Sequence, residues 1–364
     1  FRETLKYGIH ASSPNALAAF GILLCSFGKP QRGRDMAVAA ELILAKPGMA
    51  QSKSRTTYLC EGLVNHWTLP LRGTLSPLLE GYKIGLETGN LQDASLNQCF
   101  HVIHTFFSGC PLKEDILDEM IAHKVGFQDD LENFAGLSEG DSRLDVHLAI
   151  HMHYLAAAKL RGVNLEESEM MNFDGILKYT IDTGNRALRA YVLIAQVELR
   201  VFFGEWQEAT DLLLEAGELL PDVVGLFQGV RYIYVSTLVY LKTAASSAGI
   251  THKKKWKKSA LKKMKLIRGW VKNGSVNCVH NLHLLEAELA ILDGNNKKAE
   301  DMYKLSIDVA SMNGFLHDQA VTHELASLYF KYQGDQHQGD YHLKNAIKCY
   351  SKWGAMAKVE QITE

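Results

Sequence analysis

The sequence predicts an all-α protein built from repeated helical hairpins, and three observations lead to this fold class. Strand signals are weak, because no Asn-Gly or Asp-Gly turn separates two alternating apolar runs. Apolar residues recur instead at the helical spacings of three and four positions, as they do along residues 282–292. In addition, a glycine is followed five positions later by glycine or alanine at several places in the chain.

This glycine pattern has a physical explanation in a helical hairpin. The first glycine ends one helix, where the backbone must become left-handed. The small residue lies early in the next helix, where the two helices cross closely. The pairs are Gly28/Gly33, Gly89/Ala94, Gly204/Ala209, Gly294/Ala299 and Gly334/Gly339. The last two pairs are 40 positions apart, and Trp353-Gly354 completes the final unit, which indicates an internal repeat.

A hairpin of this kind cannot bury its own apolar face, so neighbouring hairpins must stack. The spacings match the tetratricopeptide pattern, which implies an α-solenoid of roughly eight or nine tetratricopeptide-like hairpins in a right-handed superhelix. We expect one continuous repeat region over residues 1–364, taken from a longer polypeptide because the chain begins with Phe1. Residues 126–145 are acidic and poorly periodic, which predicts a loop or insertion there.

Composition favours a cytoplasmic protein without a membrane span. The six cysteines are scattered with no CxxC pair, a pattern typical of reduced thiols rather than of disulfides or a zinc site. The most apolar stretch, 223–241, contains Gln228 and Arg231, so a buried helix is favoured over a transmembrane helix. No signal peptide opens the sequence, since Arg2 and Glu3 interrupt any apolar core.

Two parts of the chain resemble a known family. The first comprises 64–67 (VNHW), 69–71 (LPL) and 86–90 (LETGN), and the second is 346–359 (AIKCYSKWGAMAKV). They resemble the helical-repeat region of large multidomain signalling ATPases. That family joins a kinase-like domain, an AAA/STAND-type ATPase module, the repeat region, and a GAF domain with a histidine kinase or a cyclase. The resemblance implies a scaffold or regulatory spacer whose ATPase and kinase motifs lie outside this chain. It does not extend to the lysine-rich residues 253–265.

Motifs of catalysis are absent from the sequence. No P-loop, G-x-S-x-G, H-E-x-x-H, D-F-G or G-x-G-x-x-G motif occurs, so we expect neither an enzyme nor a bound cofactor in this chain. Histidine pairs at helical spacing lack a third ligand at a fixed distance, which indicates packing rather than a metal site; they are His147 with His151 and His101 with His104. Three tryptophans at or beside repeat positions indicate core packing; they are Trp67, Trp206 and Trp353.

Charge is distributed unevenly along the chain. The net charge is −2, yet residues 223–285 carry twelve basic and no acidic residues, and the remainder carries a net −14. Within this stretch one apolar stripe runs along a lysine-rich helix; its residues are Trp256, Ala260, Met264, Ile267 and Val271. The candidate partner-binding residues are Lys253, Lys254, Lys257, Lys258, Lys262 and Lys263.

Three interpretations of this basic helix stay open. It is the second helix of a hairpin with solvated lysines, or it docks on an acidic surface of this protein or of a partner, or it binds anionic lipid or nucleic acid. A single tryptophan among the lysines gives little support to base stacking.

The sequence therefore predicts a non-catalytic interaction and coupling scaffold of a multidomain signal-transduction protein, with protein partners and without nucleic acid. Two alternatives stay open. One is a sensor that binds a small effector on the concave face of the repeat, which requires a pocket with converging polar groups. The other is a free-standing adaptor.

Overall fold

The computed structural model describes Lys6 and residues 8–112, 142–163 and 172–364. These residues form 16 α-helices and several short 3-10 turns, with no strand among them. Short turns join many consecutive helices, which pack against each other as hairpins. The predicted all-α class with hairpin packing is confirmed. Within the same ranges, no helix is long and apolar enough to cross a membrane.

The described residues form two compact units. The first contains those within 1–105, 223–230 and 268–278, and the second contains those within 106–222, 231–267 and 279–364. One continuous repeat over 1–364 stays a prediction. Of the loop expected at 126–145, residues 126–141 lie outside the described residues, and Ser142 begins a helix.

Helical hairpins also make up the first unit. Its helices are α1 (Ser13–Ser26), α2 (Pro30–Leu44), α3 (Ala50–Leu63), α4 (Leu75–Glu87) and most of α5 (Leu91–Phe107). α1 packs on α2, and α3 packs on α4. Gly21 and Gly33 allow α1 and α2 to approach closely, because a Cβ atom at either position would lie 2.9 Å from the carbonyl oxygen of the other.

An asparagine side chain holds the irregular segment between α3 and α4. This segment contains two 3-10 turns, Asn65–Trp67 and Leu71–Thr74. The Asn277 amide accepts a hydrogen bond from the Leu71 N–H at 2.9 Å and donates to the carbonyl oxygens of His66 and Leu69, both at 2.7 Å. Because Asn277 is buried, these bonds satisfy its amide and fix the path of the chain through this segment.

The second unit contains all or most of the remaining helices. They are α6 (Ser142–Arg161), α7 (Phe173–Asp182), α8 (Arg186–Phe203), α9 (Trp206–Ala216), α10 (Phe227–Ser246), α11 (Ile250–Lys272), α12 (Val279–Leu292), α13 (Asn296–Asn313), α14 (Leu316–Tyr332), α15 (Gln336–Trp353) and α16 (Met356–Thr363). α12 with α13 and α14 with α15 form two successive hairpins.

The turns of these two hairpins share one local design. Gly294 and Gly334 have φ of 73° and 84°, a left-handed conformation that ends the first helix. The next residue begins the second helix as an N-cap. The Asn295 side chain accepts a hydrogen bond from the Lys298 N–H at 3.1 Å, and Asp335 accepts one from the backbone three positions later at 3.0 Å.

The remaining repeat-signature residues occupy corresponding places. Glycines at the expected turns have left-handed φ between 71° and 94°; they are Gly28, Gly89, Gly204, Gly294, Gly334 and Gly354. The small residues that follow are buried in the next helix; they are Gly33, Ala94, Ala209, Ala299 and Gly339. A Cβ atom at position 354 would also lie 2.8 Å from the Leu112 carbonyl oxygen, so this turn is crowded as well as left-handed.

Elements that are distant in sequence meet in the second unit. The Leu112 N–H donates to the Trp353 carbonyl oxygen at 2.6 Å, and α16 packs on α6 and α8. The Trp353 ring is fully buried against the rings of Phe106, Phe202 and His317. These contacts go beyond the neighbour-to-neighbour packing of a simple repeat stack.

Candidate binding surfaces

Four helices of the second unit are buried over much of their length. In α14 the buried residues run consecutively over 320–323 and 325–327, so no face is open along this stretch. α8 is buried over 192–195 and 197–199, and α10 is buried over 231–239. α12 is buried at most positions from His280 to Ala290, but His283, Glu286 and Leu289 are only half-buried. Over the continuous stretches, α8, α10 and α14 present no open face to a partner.

A network of charged side chains lies where these four helices meet. Arg231 of α10 donates from Nε to Oε1 of Glu198 in α8 at 2.9 Å, and from Nη1 to Oδ2 of Asp318 in α14 at 2.7 Å. His280 Nε2 of α12 lies 2.8 Å from the same Asp318 oxygen, and Asn281 donates to it at 3.2 Å. Each of the three charged residues is at most 2% exposed.

Neighbouring charges keep Arg231 and Asp318 in their ionised forms. Burial alone would lower the pKa of Arg231, but the adjacent Asp318 and Glu198 carboxylates outweigh burial and raise it. Burial would likewise raise the pKa of Asp318, but the Arg231 charge and two histidines hold it well below its usual range. Burial dominates at Glu198 and raises its pKa, with Arg231 offsetting part of the effect. Such a network is suited to fixing helices rather than to exchanging protons.

The lysine-rich helix α11 packs through the predicted apolar stripe. Ala260, Met264 and Ile267 are buried, and the Trp256 ring lies 5.3 Å from the ring of Tyr240. Lys263 also faces inward: its Nζ lies 4.1 Å from the centre of the Tyr232 ring and 3.4 Å from a Glu218 carboxylate oxygen. Burial lowers the pKa of Lys263, and Glu218 offsets part of this.

The six candidate lysines of α11 thus occupy different environments. Lys263 is inside, Lys257 is paired with Asp293, and Lys253 is half-buried. Lys254, Lys258 and Lys262 are exposed. Two exposed lysines that the sequence argument did not single out join them, Lys255 and Lys265.

An open groove lies between the second helices of the two C-terminal hairpins. We call it the α13–α15 groove; it has a volume of about 630 Å³. Its walls include Lys304 and Asp308 of α13 and Tyr341 of α15, all exposed, and its floor includes Phe330 of α14. Exposed aromatic and charged side chains therefore line one concave surface, a combination typical of binding sites.

Two histidines meet at this groove. His323 Nδ1 and His342 Nδ1 are 2.9 Å apart, so one ring donates a proton and the other accepts it. The His342 ring stacks on Phe330 with an interplanar angle of 3°. Burial, aided by the neighbouring His342, lowers the pKa of His323 to about 4, and burial also lowers the pKa of His342. Both rings are therefore neutral near pH 7.

In the first unit, a smaller cavity of about 310 Å³ lies among α2, α3 and α4. Glu41, Glu61 and Glu80 line it. Glu41 pairs with Arg34 at 3.0 Å and Glu80 pairs with Lys53 at 2.7 Å. Burial is the main cause that raises the pKa of Glu61 to about 7, and the charge of Glu41 adds to it.

The other residues that the sequence singled out lie mostly in packed positions. His151 and His104 are buried, and His147 and His101 are half-buried. His101 Nδ1 lies 3.0 Å from the Leu75 carbonyl oxygen. In the described ranges, no group of three or more His, Cys, Asp or Glu side chains is arranged to hold a metal ion. All six cysteines are free thiols.

The tryptophans differ in their surroundings. Trp67 is buried with its ring 5.6 Å from that of Trp270 in the first unit. Trp206 is half-buried beneath the Lys242 ammonium, which lies 5.8 Å from its ring centre. Trp353 is completely buried.

No model of a known protein family matches the chain, and no curated protein matches it. The resemblance to the repeat region of signalling ATPases stays a prediction.

Sequence reasoning did not find the Arg231 network or the His323–His342 pair. A signal for the network exists, since Arg231 and Glu198 each interrupt a long apolar run of a helix. A lone charge in such a run must have a buried partner, but the sequence does not say which one. The histidine pair has no such signal, because its members are separated by a turn and a change of helix.

Proposed function

We propose that this chain is a non-catalytic protein-interaction and coupling scaffold of a cytoplasmic, multidomain signalling protein. Its helical hairpins belong to a tetratricopeptide-like solenoid in this proposal, and no residue carries bond-making chemistry. The α13–α15 groove is the observation that carries it. An open surface with exposed aromatic and charged groups fits a polypeptide segment, since interface anchors are enriched in aromatic residues.

The burial of the first helices supports this assignment. Because α8, α10, α12 and α14 are buried over much of their length, second helices of this unit offer the longer exposed faces to a partner. α13 and α15 are such helices, and they keep Lys304 and Tyr341 exposed. The buried Arg231 network joins α8, α10 and α14 and favours one fixed packing of these helices. A scaffold needs such rigidity if binding at one site is to change the affinity of another.

Selection from a displayed library of random peptides tests the proposal. We expect the 364-residue chain to enrich peptides whose affinity falls at least about tenfold, or about 1.4 kcal/mol, in Tyr341→Ala. Tyr332→Ala is the matched control, because Tyr332 is an exposed tyrosine that does not line the groove. Peptides that bind both variants equally, or a selection that enriches nothing, would refute the assignment of the groove.

A small-molecule sensor is the second candidate function. The groove volume of about 630 Å³ lies within the usual range for ligand pockets, and His342 with Phe330 provides a polar group beside an aromatic face. Residues of α13, α14 and α15 form this groove. A thermal-shift screen with sugars and nucleotides separates the candidates. A saturable rise in melting temperature that His342→Ala abolishes favours the sensor, and no rise favours the scaffold.

A further inference from the structure

The outward face of α11 carries lysines that no carboxylate among the described residues neutralises. They are Lys254, Lys255, Lys258, Lys262 and Lys265, and all are exposed. Residues 250–267 contain eight lysines and no acidic residue. Among the described residues, no carboxylate lies within ion-pair distance of these five lysines. We call this surface the basic face.

The lysines on the other sides of α11 behave differently. Lys257 pairs with Asp293, and Lys263 pairs with Glu218. The described part of the second unit thus places carboxylates beside Lys257 and Lys263 and none beside the lysines of the basic face. Like charges at i, i+4 spacing, as at Lys254 and Lys258, repel each other in the free protein. Binding of an anionic surface would relieve this repulsion.

Two leucines lie among the lysines of the basic face. Leu261 and Leu266 are 37% and 40% exposed, so apolar surface accompanies the charge. Trp256 is not available as an outward anchor, because it packs on Tyr240. The surface from Lys254 to Leu266 is about 18 Å long at 1.5 Å per residue.

We propose that the basic face binds an acidic polypeptide segment of a partner protein, with glutamates or aspartates on the lysines and apolar side chains on Leu261 and Leu266. Charge complementarity carries the choice of an acidic occupant, and the two leucines favour a polypeptide. An interfacial helix inserts its apolar stripe into the membrane, but the stripe of α11 at Ala260, Met264 and Ile267 is buried in the protein. Nucleic-acid recognition favours arginine forks and stacking rings, and the basic face contains neither an arginine nor an aromatic residue.

The inference rests on the proposed interaction role of the chain, but not on the α13–α15 groove. A separate experiment tests it. Fluorescence anisotropy measures binding of the 364-residue chain to a labelled helical peptide of about 18 residues, with glutamates and two leucines on one face. A glutamine version of this peptide, phosphatidylserine vesicles and a DNA duplex are the competing probes.

The decisive variant is the triple change Lys254→Glu, Lys258→Glu and Lys262→Glu. Its matched control reverses three exposed lysines with the same spacing on α15: Lys344→Glu, Lys348→Glu and Lys352→Glu. We expect saturable binding of the acidic peptide, stronger at low salt. The α11 triple variant weakens it at least about tenfold and the control changes it less than about twofold. Leu261→Ala should weaken binding without changing charge.

Thermal denaturation shows whether each variant is folded. In the α11 variant the three glutamates repel one another at i, i+4 as the lysines did, but each lies three positions from a remaining lysine. Its melting temperature should therefore stay close to that of the parent. Equal losses in both triple variants, tighter binding of vesicles or DNA than of the acidic peptide, or no peptide binding would each overturn the proposal. If the chain binds no peptide through the α13–α15 groove but binds the acidic peptide through the basic face, only the assignment of the groove is refuted.

Discussion

Replacing Arg231 by methionine removes the cation that two buried carboxylates share. Arg231 lies 2.9 Å from Glu198 and 2.7 Å from Asp318. With an effective dielectric constant of about 20, each pair contributes roughly 6 kcal/mol of attraction. Removing ions of this kind from water costs several kcal/mol each, so the intact network contributes little to net stability. Without the cation both carboxylates stay desolvated. We therefore expect Arg231→Met to lower the free energy of unfolding by about 3–5 kcal/mol.

Neutral isosteres should recover part of this loss. Adding Glu198→Gln and Asp318→Asn to Arg231→Met removes the uncompensated charges while keeping the shapes, so the triple variant should be at least about 2 kcal/mol more stable than Arg231→Met alone. Urea denaturation followed by circular dichroism measures both. The control is Arg186→Met, which breaks the ion pair of the exposed Arg186 with the half-buried Asp222 and should cost less than about 1 kcal/mol.

Two results would refute this reasoning. One is an Arg231→Met variant no less stable than the Arg186→Met control. The other is a triple variant whose loss equals the sum of the losses of its three single changes, because independent sites add and a shared charge network does not.

Three further predictions concern single residues elsewhere. Gly33→Ala should destabilise the protein by about 1–3 kcal/mol, since its Cβ atom would meet a backbone carbonyl oxygen. Gly339→Ala should cost less, because its Cβ atom would meet the Lys331 side chain, which can change rotamer, and alanine favours a helix; urea denaturation compares the two variants. Because the folded-state pKa of Glu61 is raised to about 7, the protein loses stability as pH rises from about 4.3 to 7, by at most about 4 kcal/mol. Glu61→Gln should therefore raise the melting temperature above pH 7 and leave it unchanged near pH 4. The lowered pKa of His323, about 4, has the opposite sign: stability falls as pH drops from about 6.5 to 4, and a melting curve of His323→Asn should depend less on pH in this window. A Glu61→Gln or His323→Asn variant with the parental pH profile would contradict the corresponding prediction.

If both proposed surfaces bind partners, the second unit presents two different kinds of contact. The α13–α15 groove combines exposed Tyr341 with both signs of charge, which favours specificity through fitted side chains. The basic face carries one sign of charge, which favours fast, salt-sensitive association. A scaffold with both can hold one segment firmly while a second segment exchanges.

Local chemistry allowed the hairpins to be predicted from the sequence. Gly294 and Gly334 end helices in the left-handed conformation, and the asparagine or aspartate after each begins the next helix. Both effects depend on residues within a few positions of one another, so they are visible without tertiary structure. The apolar stripe of α11 could be predicted from the sequence for the same reason, because helical periodicity alone places Ala260 and Met264 on one side of the helix.

The different environments of the α11 lysines could be predicted from the sequence only in part. Periodicity places Lys254, Lys258 and Lys262 on one outward line, as the structure has them. It does not reveal that Lys263 turns inward to the Tyr232 ring and Glu218, since its partners come from other helices. Lys263 and Lys257, which pairs with Asp293, therefore differ from the three exposed candidates because of residues outside α11.

Tertiary structure alone decided which charges meet and which surfaces stay open. Arg231, Glu198 and Asp318 come from three helices separated by many turns, and the sequence contains no register that relates them. The His323–His342 pair and the α13–α15 groove likewise depend on how two helices cross rather than on the sequence of either. Helix formation and capping are governed by neighbours in the chain, whereas pairing of buried charges and formation of a groove are governed by neighbours in space.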